Sequence, residues 1–215
     1  MIICENASFA YDRNIIVKDI NLSIESGDYL CLVGENGSGK STLLKGLLGL
    51  LKPLQGSVTC SFSSIGYLSQ SAAAKKDFPA GVKEIVLSGF LGKMGWRLFY
   101  KAGEKRSALQ NMEKVGVADL QNRCFRELSG GQQRRVLLAR TLCACDKTGL
   151  LALDEPAAGL DPEATENLYH LLGQLNAEMG ITIVMVSHDI GNVEKYAGKI
   201  IKLENGIIIN GGNEK

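Results

Sequence analysis

The chain has 215 residues, 45% of them hydrophobic, and carries a formal net charge of only +1. This length and apolar content are sufficient for a sizeable core and fit one domain, or a domain with a small appendage. The near-neutral charge argues against wholesale binding of nucleic acid through a basic surface, although a local basic patch is compatible with it.

The first 70 residues are expected to form strands and turns followed by one helix. The N-terminus has no basic region followed by an apolar stretch, so we predict no signal peptide. Residues 29–33 form a short continuous apolar run that ends at Gly34, which is typical of a strand buried on both faces. Residues 41–51 have helical content, but Lys52 and Pro53 end this Leu-rich stretch before it could span a membrane.

A glycine-rich loop connects that strand to that helix. Residues 34–41 read Gly-Glu-Asn-Gly-Ser-Gly-Lys-Ser and match the pattern G-x-x-x-x-G-K-[ST] in full. Glycines let the backbone turn tightly, so several N–H groups can face one anion, and the following helix adds its N-terminal dipole. Lys40 can then reach β- and γ-phosphates, and the Ser41 hydroxyl can ligate Mg²⁺, a hard ion that prefers oxygen. The loop therefore predicts a nucleoside triphosphate site.

Residues 71–127 differ from both of their flanks. They contain charged segments with helical spacing, such as 104–115, interrupted by glycines. We interpret them as a mostly helical subdomain inserted into an α/β core. The core resumes with a helix over 130–143, a strand over 150–153, a helix over 162–179 and a strand over 181–186, and this alternation implies a largely parallel sheet. The six cysteines form no C-x-x-C pair and are expected to be reduced, mostly buried thiols.

A second glycine motif begins the helix over 130–143. Residues 128–132 read Leu-Ser-Gly-Gly-Gln, and they could form either an ordinary N-cap or a second anion site at the helix N-terminus. Arg134 and Arg135 follow this motif. We expect these two arginines to provide surface charge or subunit contacts rather than to take part in catalysis.

The strand over 150–153 ends in two acidic residues, Asp154 and Glu155. Ligands of parallel sheets bind at the carboxyl ends of the strands, so Asp154 is predicted to hold Mg²⁺ directly or through water. Glu155 would point at the γ-phosphate and orient or deprotonate the attacking water. An acidic pair alone is more often a helix cap or a solvated turn, and the phosphate loop is what favours the functional interpretation.

Together these motifs resemble those of the nucleotide-binding subunits of ABC transporters, over nearly the full length of the chain. In that family L-S-G-G-Q is the signature motif, and residues 128–132 reproduce it completely. Residues 34–41 correspond to the Walker A motif, residues 150–154 to the Walker B motif, and Glu155 to the catalytic glutamate that follows it.

Other positions match the family in the expected order. Tyr11 stands where an aromatic residue stacks on adenine, and Gln70 stands where a glutamine meets Mg²⁺ and the attacking water. Residues 159–161 resemble the D-loop, and His188 resembles the switch histidine that touches the γ-phosphate. One departure is Ala157, where many relatives carry a hydroxyl residue, and we expect it to have only a small effect on D-loop packing.

The resemblance implies three overlapping groups of site residues. The catalytic residues would be Lys40, Gln70, Glu155 and His188. The Mg²⁺ ligands would be Ser41, Gln70 and Asp154. The ATP-binding residues would be Tyr11, Gly34, Asn36, Gly37, Ser38, Gly39, Lys40, Ser41 and Thr42, with Ser129, Gly130, Gly131 and Gln132.

The resemblance also implies an architecture and an assembly. A P-loop NTPase core with a mixed, largely parallel sheet and an N-terminal antiparallel β part would comprise residues 1–70 and 128–215, and residues 71–127 would form the helical subdomain of this single domain. Two subunits would face head to tail, so that the signature motif of one holds the γ-phosphate on the phosphate loop of the other. Membrane permease subunits, and an extracytoplasmic substrate-binding protein, would complete a system whose ATPase lies peripherally on the cytoplasmic face of the membrane. The permease would dock near residues 70–120.

Residues 77–89 are similar to the segment after the glutamine loop in zinc, manganese and iron importers, which favours a transition-metal cargo. Cobalt or nickel importers, and siderophore or vitamin importers, are alternatives. A different class is an ABC ATPase that does not transport, such as a scaffold of iron–sulfur cluster assembly or a component of the division machinery. ABC proteins that act on DNA or ribosomes usually carry long coiled coils or two ATPase domains, and this sequence has neither, so we expect no nucleic-acid partner.

Overall fold

A computed structural model describes residues 1–70, 79–146 and 148–209 of the chain, and two β-sheets form its framework. Asp77 and Phe78, which begin the segment compared with metal importers, lie outside the described residues. The strands are β1 (Ile2–Tyr11), β2 (Asn14–Ile24), β3 (Tyr29–Val33), β4 (Gln55–Cys60), β5 (Ile65–Leu68), β6 (Leu150–Asp154), β7 (Thr182–Val186), β8 (Lys199–Glu204) and β9 (Ile207–Ile208).

The two sheets differ in strand direction. The smaller sheet is antiparallel, with β1 between β2 and β4. The larger sheet has the order β5-β6-β7-β3-β8-β9, and its pairs are parallel except for the antiparallel pair β8 and β9. Strands β3, β6 and β7 are buried at every position, which accounts for their unbroken apolar runs. The predicted α/β fold, with a mixed, largely parallel sheet and an N-terminal antiparallel part, is confirmed.

Seven α-helices cover the described part of this framework. They are α1 (Lys40–Leu47), α2 (Val82–Leu87), α3 (Leu91–Met94), α4 (Ala102–Lys114), α5 (Gly130–Ala144), α6 (Pro162–Met179) and α7 (Ile190–Tyr196). Helix α1 shares one apolar core with the antiparallel sheet, whereas α5 and α6 share the other core with α2 and α4. Within the described residues, no helix has the length and apolar character needed to cross a bilayer.

The parallel strands bring four predicted site segments to one edge of the larger sheet. Strand β3 leads into the loop that starts at Gly34, and β5 leads to Gln70. Strand β6 ends at Asp154, and β7 is followed by Ser187 and His188. Since these strands are parallel to one another, their carboxyl ends meet at the same edge, where open α/β sheets bind their ligands.

Candidate nucleotide site

The loop between β3 and α1 requires glycine at particular positions. Gly34 has φ 149°, and a Cβ at this position would lie 2.2 Å from the carbonyl oxygen of Leu203. Gly39 has φ 100°, and its Cβ would lie 2.7 Å from Cγ2 of Val17. Any other residue would therefore meet both backbone strain and a clash. The two glycines that matched the sequence pattern are thus required by the local geometry.

Lys40 is the first residue of α1, and its side chain folds back along the loop. Nζ donates hydrogen bonds to the carbonyl oxygens of Gly34 at 2.8 Å and of Glu35 at 2.7 Å. Burial lowers the pKa of Lys40, and the carboxylates of Glu155 and Asp154 partly offset that effect. The ammonium group is therefore held inside the loop with no charged hydrogen-bond acceptor of its own among the described residues.

Ser41 and Asp154 bring two oxygen donors together at the ends of two different elements. Ser41 Oγ donates to Oδ1 of Asp154 at 2.8 Å, across 113 positions of the sequence. Asp154 is only 3% exposed, and burial raises its pKa, while the hydrogen bond from Ser41 lowers it. A buried carboxylate and a hydroxyl at this distance form a hard oxygen donor set of the kind that Mg²⁺ prefers.

Glu155 follows β6 in an unusual backbone conformation. Its φ is 49°, in the left-handed region that glutamate seldom adopts, and its N–H donates to the carbonyl oxygen of Val186 at 3.1 Å. Its carboxylate accepts a hydrogen bond from Nε2 of Gln70 at 3.2 Å and lies 4.0 Å from Nδ1 of His188. The His188 side chain is 64% exposed, so it faces solvent beside the carboxylate rather than the core.

A cavity of about 440 Å³ is lined by several of these groups, whereas His188 lines a neighbouring cavity with Glu155. The lining of the first cavity comprises Tyr11, Ile16, Asn36, Gly37, Gly39, Lys40, Ser41, Thr42, Gln70 and Glu155. Tyr11, at the end of β1, is 43% exposed at its margin. Ile16 of β2 was not predicted as a site residue, because an isoleucine in a strand looks like any other strand residue in the sequence.

The chemistry of the loop suits a bound polyphosphate with a divalent cation. Ser38 Oγ is buried and has no hydrogen-bond partner within the described ranges, which is unfavourable unless a ligand oxygen satisfies it. The Lys40 ammonium supplies positive charge beside it, and the backbone of α1 supplies N–H groups at its N-terminus. The residues present therefore fit a nucleotide phosphate chain, and the pair of Ser41 and Asp154 fits Mg²⁺.

The signature residues lie in a different place. Ser129 caps α5: its Oγ accepts from the N–H of Gln132 at 3.3 Å, and its own N–H donates to Oε1 of Gln132 at 3.0 Å. Ser129, Gly131 and Gln132 line a separate cavity of about 700 Å³ with Leu160 and Asp161, and Gly130 lies exposed at the first position of α5. Within one chain, residues 129–132 and the phosphate loop line different cavities.

The expectation that Arg134 provides surface charge is wrong. Its side chain is only 4% exposed, and it donates hydrogen bonds to the main-chain oxygens of Asp154, the last residue of β6, and of Pro156. Its neighbour Arg135 is exposed, as expected for a surface charge. The sequence gives no signal that separates the two arginines, because only the position of α5 relative to residues 154–156 decides which one is covered.

Comparison with known proteins shows which family has this site. The sequence model of the ABC transporter family matches residues 17–158, which include the phosphate loop, the signature residues and both acids. The chain belongs to the ABC transporter family. The zinc uptake system ATP-binding protein ZurA of Listeria innocua is 38% identical over 216 residues, covering 96% of this chain and 83% of ZurA. The manganese transport system ATP-binding protein MntB of Bacillus subtilis is 34% identical over 206 residues, covering 93% of this chain and 81% of MntB.

Solved structures of ABC proteins share the whole fold. A metal-chelate type ABC transporter in an inward-facing conformation matches with a TM-score of 0.89 and 30% identity, covering 99% of this chain and 82% of the other. The dimeric cassette MJ0796 in a post-hydrolysis state, bound to ADP and Pi, matches with a TM-score of 0.85 and 28% identity, covering 100% of this chain and 99% of the other. This ABC protein is accordingly an ATP-binding subunit with ATPase activity.

Proposed function

We propose that this ABC subunit hydrolyses ATP to drive import of a transition-metal ion through a membrane permease. The observation that carries the ATPase part is the meeting of Lys40, Ser41 and Glu155 in one cavity. The cargo part is supported by relatives named for zinc uptake and manganese transport, at 38% and 34% identity. These names favour metal import over cluster assembly, and they leave the choice between zinc and manganese to experiment.

In the proposed site, the phosphate loop binds the triphosphate of ATP. Lys40 would exchange its two carbonyl acceptors for phosphate oxygens, and Tyr11, at the margin of the cavity, would stack on the base. Ser41, Asp154 and Gln70 would hold Mg²⁺. When bound, this ion supplies positive charge that stabilises the charge developing on the phosphates.

Glu155 has the geometry of a base for the attacking water. Its carboxylate lines the cavity, with Gln70 and His188 beside it. We assign to Glu155 the orientation or deprotonation of the water, and to His188 a contact with the γ-phosphate. Residues 129–132 of a second copy of the chain would complete the site from the opposite side, since in one chain they line a different cavity.

An exposed apolar patch supplies a surface for the permease. It consists of Leu91, Trp96, Leu98 and Phe99, each more than half exposed, in a protein whose other large apolar residues are mostly buried. Leu91 also lines a cavity of about 390 Å³ together with Tyr67 of β5, the strand that leads to Gln70. Because exposed apolar patches mark interaction surfaces, we assign this one to a cytoplasmic segment of the permease.

Paired substitutions test that surface. In Trp96→Ser/Phe99→Ser the ATPase rate of the isolated subunit should stay within about twofold of wild type, since exposed substitutions are usually well tolerated. Co-purification with the permease should be lost. Leu54→Ser, an exposed leucine outside the patch, is the matched control and should co-purify normally. Full recovery of the permease with the double variant would refute the assignment.

Metal import is tested in cells. Deletion of the gene should lower cellular zinc or manganese under metal limitation, as measured by mass spectrometry. Wild-type protein should restore the content, whereas Glu155→Gln, which retains the fold but lacks the carboxylate, should not. Unaltered zinc and manganese in the deletion strain would exclude the proposed cargo, and loss of iron–sulfur enzyme activity instead would point to cluster assembly. An extracytoplasmic binding protein should be required for the same uptake.

A further inference from the structure

Arg134 joins the signature helix to the residues around the catalytic carboxylate. It is the fifth residue of α5, which Ser129 caps, and its side chain is 4% exposed. Its Nε donates to the carbonyl oxygen of Pro156 at 2.8 Å. Its Nη2 donates to the carbonyl oxygen of Asp154 at 3.2 Å and to that of Glu155. One guanidinium therefore holds three successive main-chain carbonyls at the end of β6.

The acceptors of Arg134 indicate that its hydrogen bonds fix the position of the backbone. The side chain's hydrogen bonds go to peptide oxygens and not to carboxylates, although Asp154 and Glu155 lie near enough to raise the pKa of Arg134 against the lowering caused by burial. Burying a cation is costly, and replacement by an apolar side chain is often neutral or stabilising. A guanidinium offers five donors in a fixed fork, so it can fix the relative positions of several carbonyls at once.

The backbone of Glu155 needs such support. Its φ of 49° is sparsely populated for a non-glycine residue and persists only where neighbouring groups over-determine it. The N–H of Glu155 is held by Val186 O at 3.1 Å, and its carbonyl is held by Arg134. The direction of the carboxylate, which accepts from Gln70 at 3.2 Å, follows from that backbone.

The residue before Arg134 binds α5 to a second segment of the chain. Gln133, also 4% exposed, donates from Nε2 to the carbonyl oxygen of Phe125 at 3.0 Å. Consecutive residues of α5 thus bind the segment that precedes the signature and the segment that carries Glu155. A shift of α5 would therefore move the backbone that carries the Glu155 carboxylate.

We propose that Arg134 is a positioning residue for ATP hydrolysis: it holds the backbone at residues 154–156 so that the Glu155 carboxylate faces the phosphate loop, and it links that carboxylate to the helix of the signature motif. Arg134 acts through Glu155, since it does not itself line the cavity of the phosphate loop. The inference rests on the ATPase function and on the role proposed for Glu155, and it is independent of the metal cargo.

Two substitutions of Arg134 separate charge from geometry. Arg134→Met removes all donors, and Arg134→Lys keeps the cation but replaces the fork with a single nitrogen. Since a small misplacement of a catalytic group is costly, we expect kcat to fall on the order of 100-fold with methionine and on the order of 10-fold with lysine. The Kd of a non-hydrolysable ATP analogue, measured by calorimetry, should stay within about twofold, because the phosphate loop is untouched. The control Arg106→Met, an exposed arginine of α4, should match wild type.

A double-mutant cycle distinguishes positioning from general destabilisation. Phosphate release is measured for Arg134→Met in the wild-type and Glu155→Gln backgrounds, well below the unfolding midpoint of each variant. If Arg134 acts through the carboxylate, its loss should reduce the rate by no more than about threefold in the Glu155→Gln background, because the two effects share one cause. An equal fold-loss in both backgrounds, or an analogue Kd that rises as much as kcat falls, would overturn the proposal.

The lysine variant protects the test against misfolding. If Arg134→Met cannot be purified as a folded protein, Arg134→Lys is measured in the same cycle. An equal fold-loss in both backgrounds, or an analogue Kd that rises as much as kcat falls, would again overturn the proposal. An inactive wild-type protein would refute the ATPase function itself. An active wild-type protein with undiminished kcat in the Arg134 variants would overturn only this inference.

Discussion

At the scale of single residues, the nucleotide site holds two buried ionisable groups whose pKa values are shifted in opposite directions. Burial lowers the pKa of Lys40 and raises that of Asp154, so in both cases it favours the neutral form. A bound phosphate chain and its Mg²⁺ would each supply the charge that the neighbouring side chain lacks. The interactions of Lys40 with phosphate and of Asp154 with Mg²⁺ would therefore both become favourable when the ligand binds.

Lys40→Ala should greatly weaken ATP binding. A hydrogen bond to a charged group contributes about 1.5–3 kcal/mol, so the Kd should rise by about 10- to 150-fold. Calorimetry with ATP and Mg²⁺ gives the affinity directly. The control Lys52→Ala removes an exposed lysine beyond α1 and should bind normally. Unchanged affinity in Lys40→Ala would exclude the role assigned to this side chain.

Glu155→Gln should separate binding from hydrolysis. The amide can still meet Gln70 but cannot accept a proton, so kcat should fall by about 10²- to 10⁴-fold while the Kd of ATP changes little. Phosphate release under saturating ATP measures the rate. Glu178→Gln, an exposed glutamate near the end of α6, is the matched control and should be fully active. A Glu155→Gln rate near that of wild type would mean that another group activates the water.

At the scale of elements, local signals were sufficient wherever a boundary depends on a few adjacent residues. Helix α6 runs over Pro162–Met179 as predicted, because Asp161 caps its N-terminus and Gly180 ends it in the left-handed conformation. The position of the phosphate loop was also predictable, because its pattern lies within the adjacent residues 34–41. Strand β1, by contrast, extends to Tyr11 through pairing with β2 and β4, which no local signal in the sequence specifies.

The role of Arg134 shows where sequence reasoning stops. Its acceptors are main-chain carbonyls, which every residue possesses, so no pattern of side chains marks them. Arg134 and Arg135 are identical in type and adjacent in sequence, and only the orientation of α5 in the folded chain buries the first and exposes the second. Motifs that carry their own chemistry can be recognised in a sequence, whereas contacts that arise from packing cannot.

The first turn of α4 provides an element-scale prediction. Glu104 accepts from the N–H of Lys101 at 2.7 Å and from two guanidinium nitrogens of Arg97, at 2.8 and 3.2 Å. The hydrogen bond from Arg97, followed by that from Lys101, lowers the pKa of Glu104 from 4.5 to about 2. Because the folded-state pKa is depressed, the stabilisation is complete above pH 4.5 and is lost as the pH falls toward 2.

Glu104→Gln should therefore lower the Tm at pH 7, and the difference from wild type should shrink progressively below pH 4.5. Calorimetric scans at several pH values between 3 and 7 (an interval of about four units) measure the trend. Glu113→Gln, an exposed glutamate at the other end of α4, should show a small Tm difference from wild type that does not shrink below pH 4.5. A Tm difference for Glu104→Gln that is the same at all pH values would contradict the shifted pKa.

At the scale of the whole molecule, the separation of two cavities supports the proposed two-chain nucleotide site. The phosphate loop lines one cavity, and Ser129 lines another with the residues after Gly159. In the proposed dimer, a phosphate that meets the signature residues belongs to a nucleotide on the phosphate loop of the other copy of the chain. The cassette MJ0796 is dimeric in two solved structures that match this chain, one of them a post-hydrolysis state bound to ADP and Pi, which is consistent with such a shared site.

A double variant tests the shared site. Glu155→Gln with ATP should accumulate as a dimer of twice the 23.1 kDa of one chain, as measured by light scattering. Ser129→Arg/Glu155→Gln should bind ATP with nearly the same affinity but remain monomeric, because the bulky side chain blocks the surface that meets the partner's nucleotide. The substitution also removes the α5 cap, at a cost of about 1 kcal/mol, which is too small to unfold a typical domain.

The control for this test is Ser57→Arg/Glu155→Gln, which introduces the same side chain at an exposed position of β4 and should dimerise with ATP. A persistent dimer in the Ser129 variant would show that residues 129–132 do not complete the site. Loss of ATP binding together with the dimer would mean that Ser129 supports the phosphate loop of its own chain. Only retained binding without dimerisation fits a phosphate loop that is half of a nucleotide site, because one chain then holds the nucleotide and the second chain encloses it.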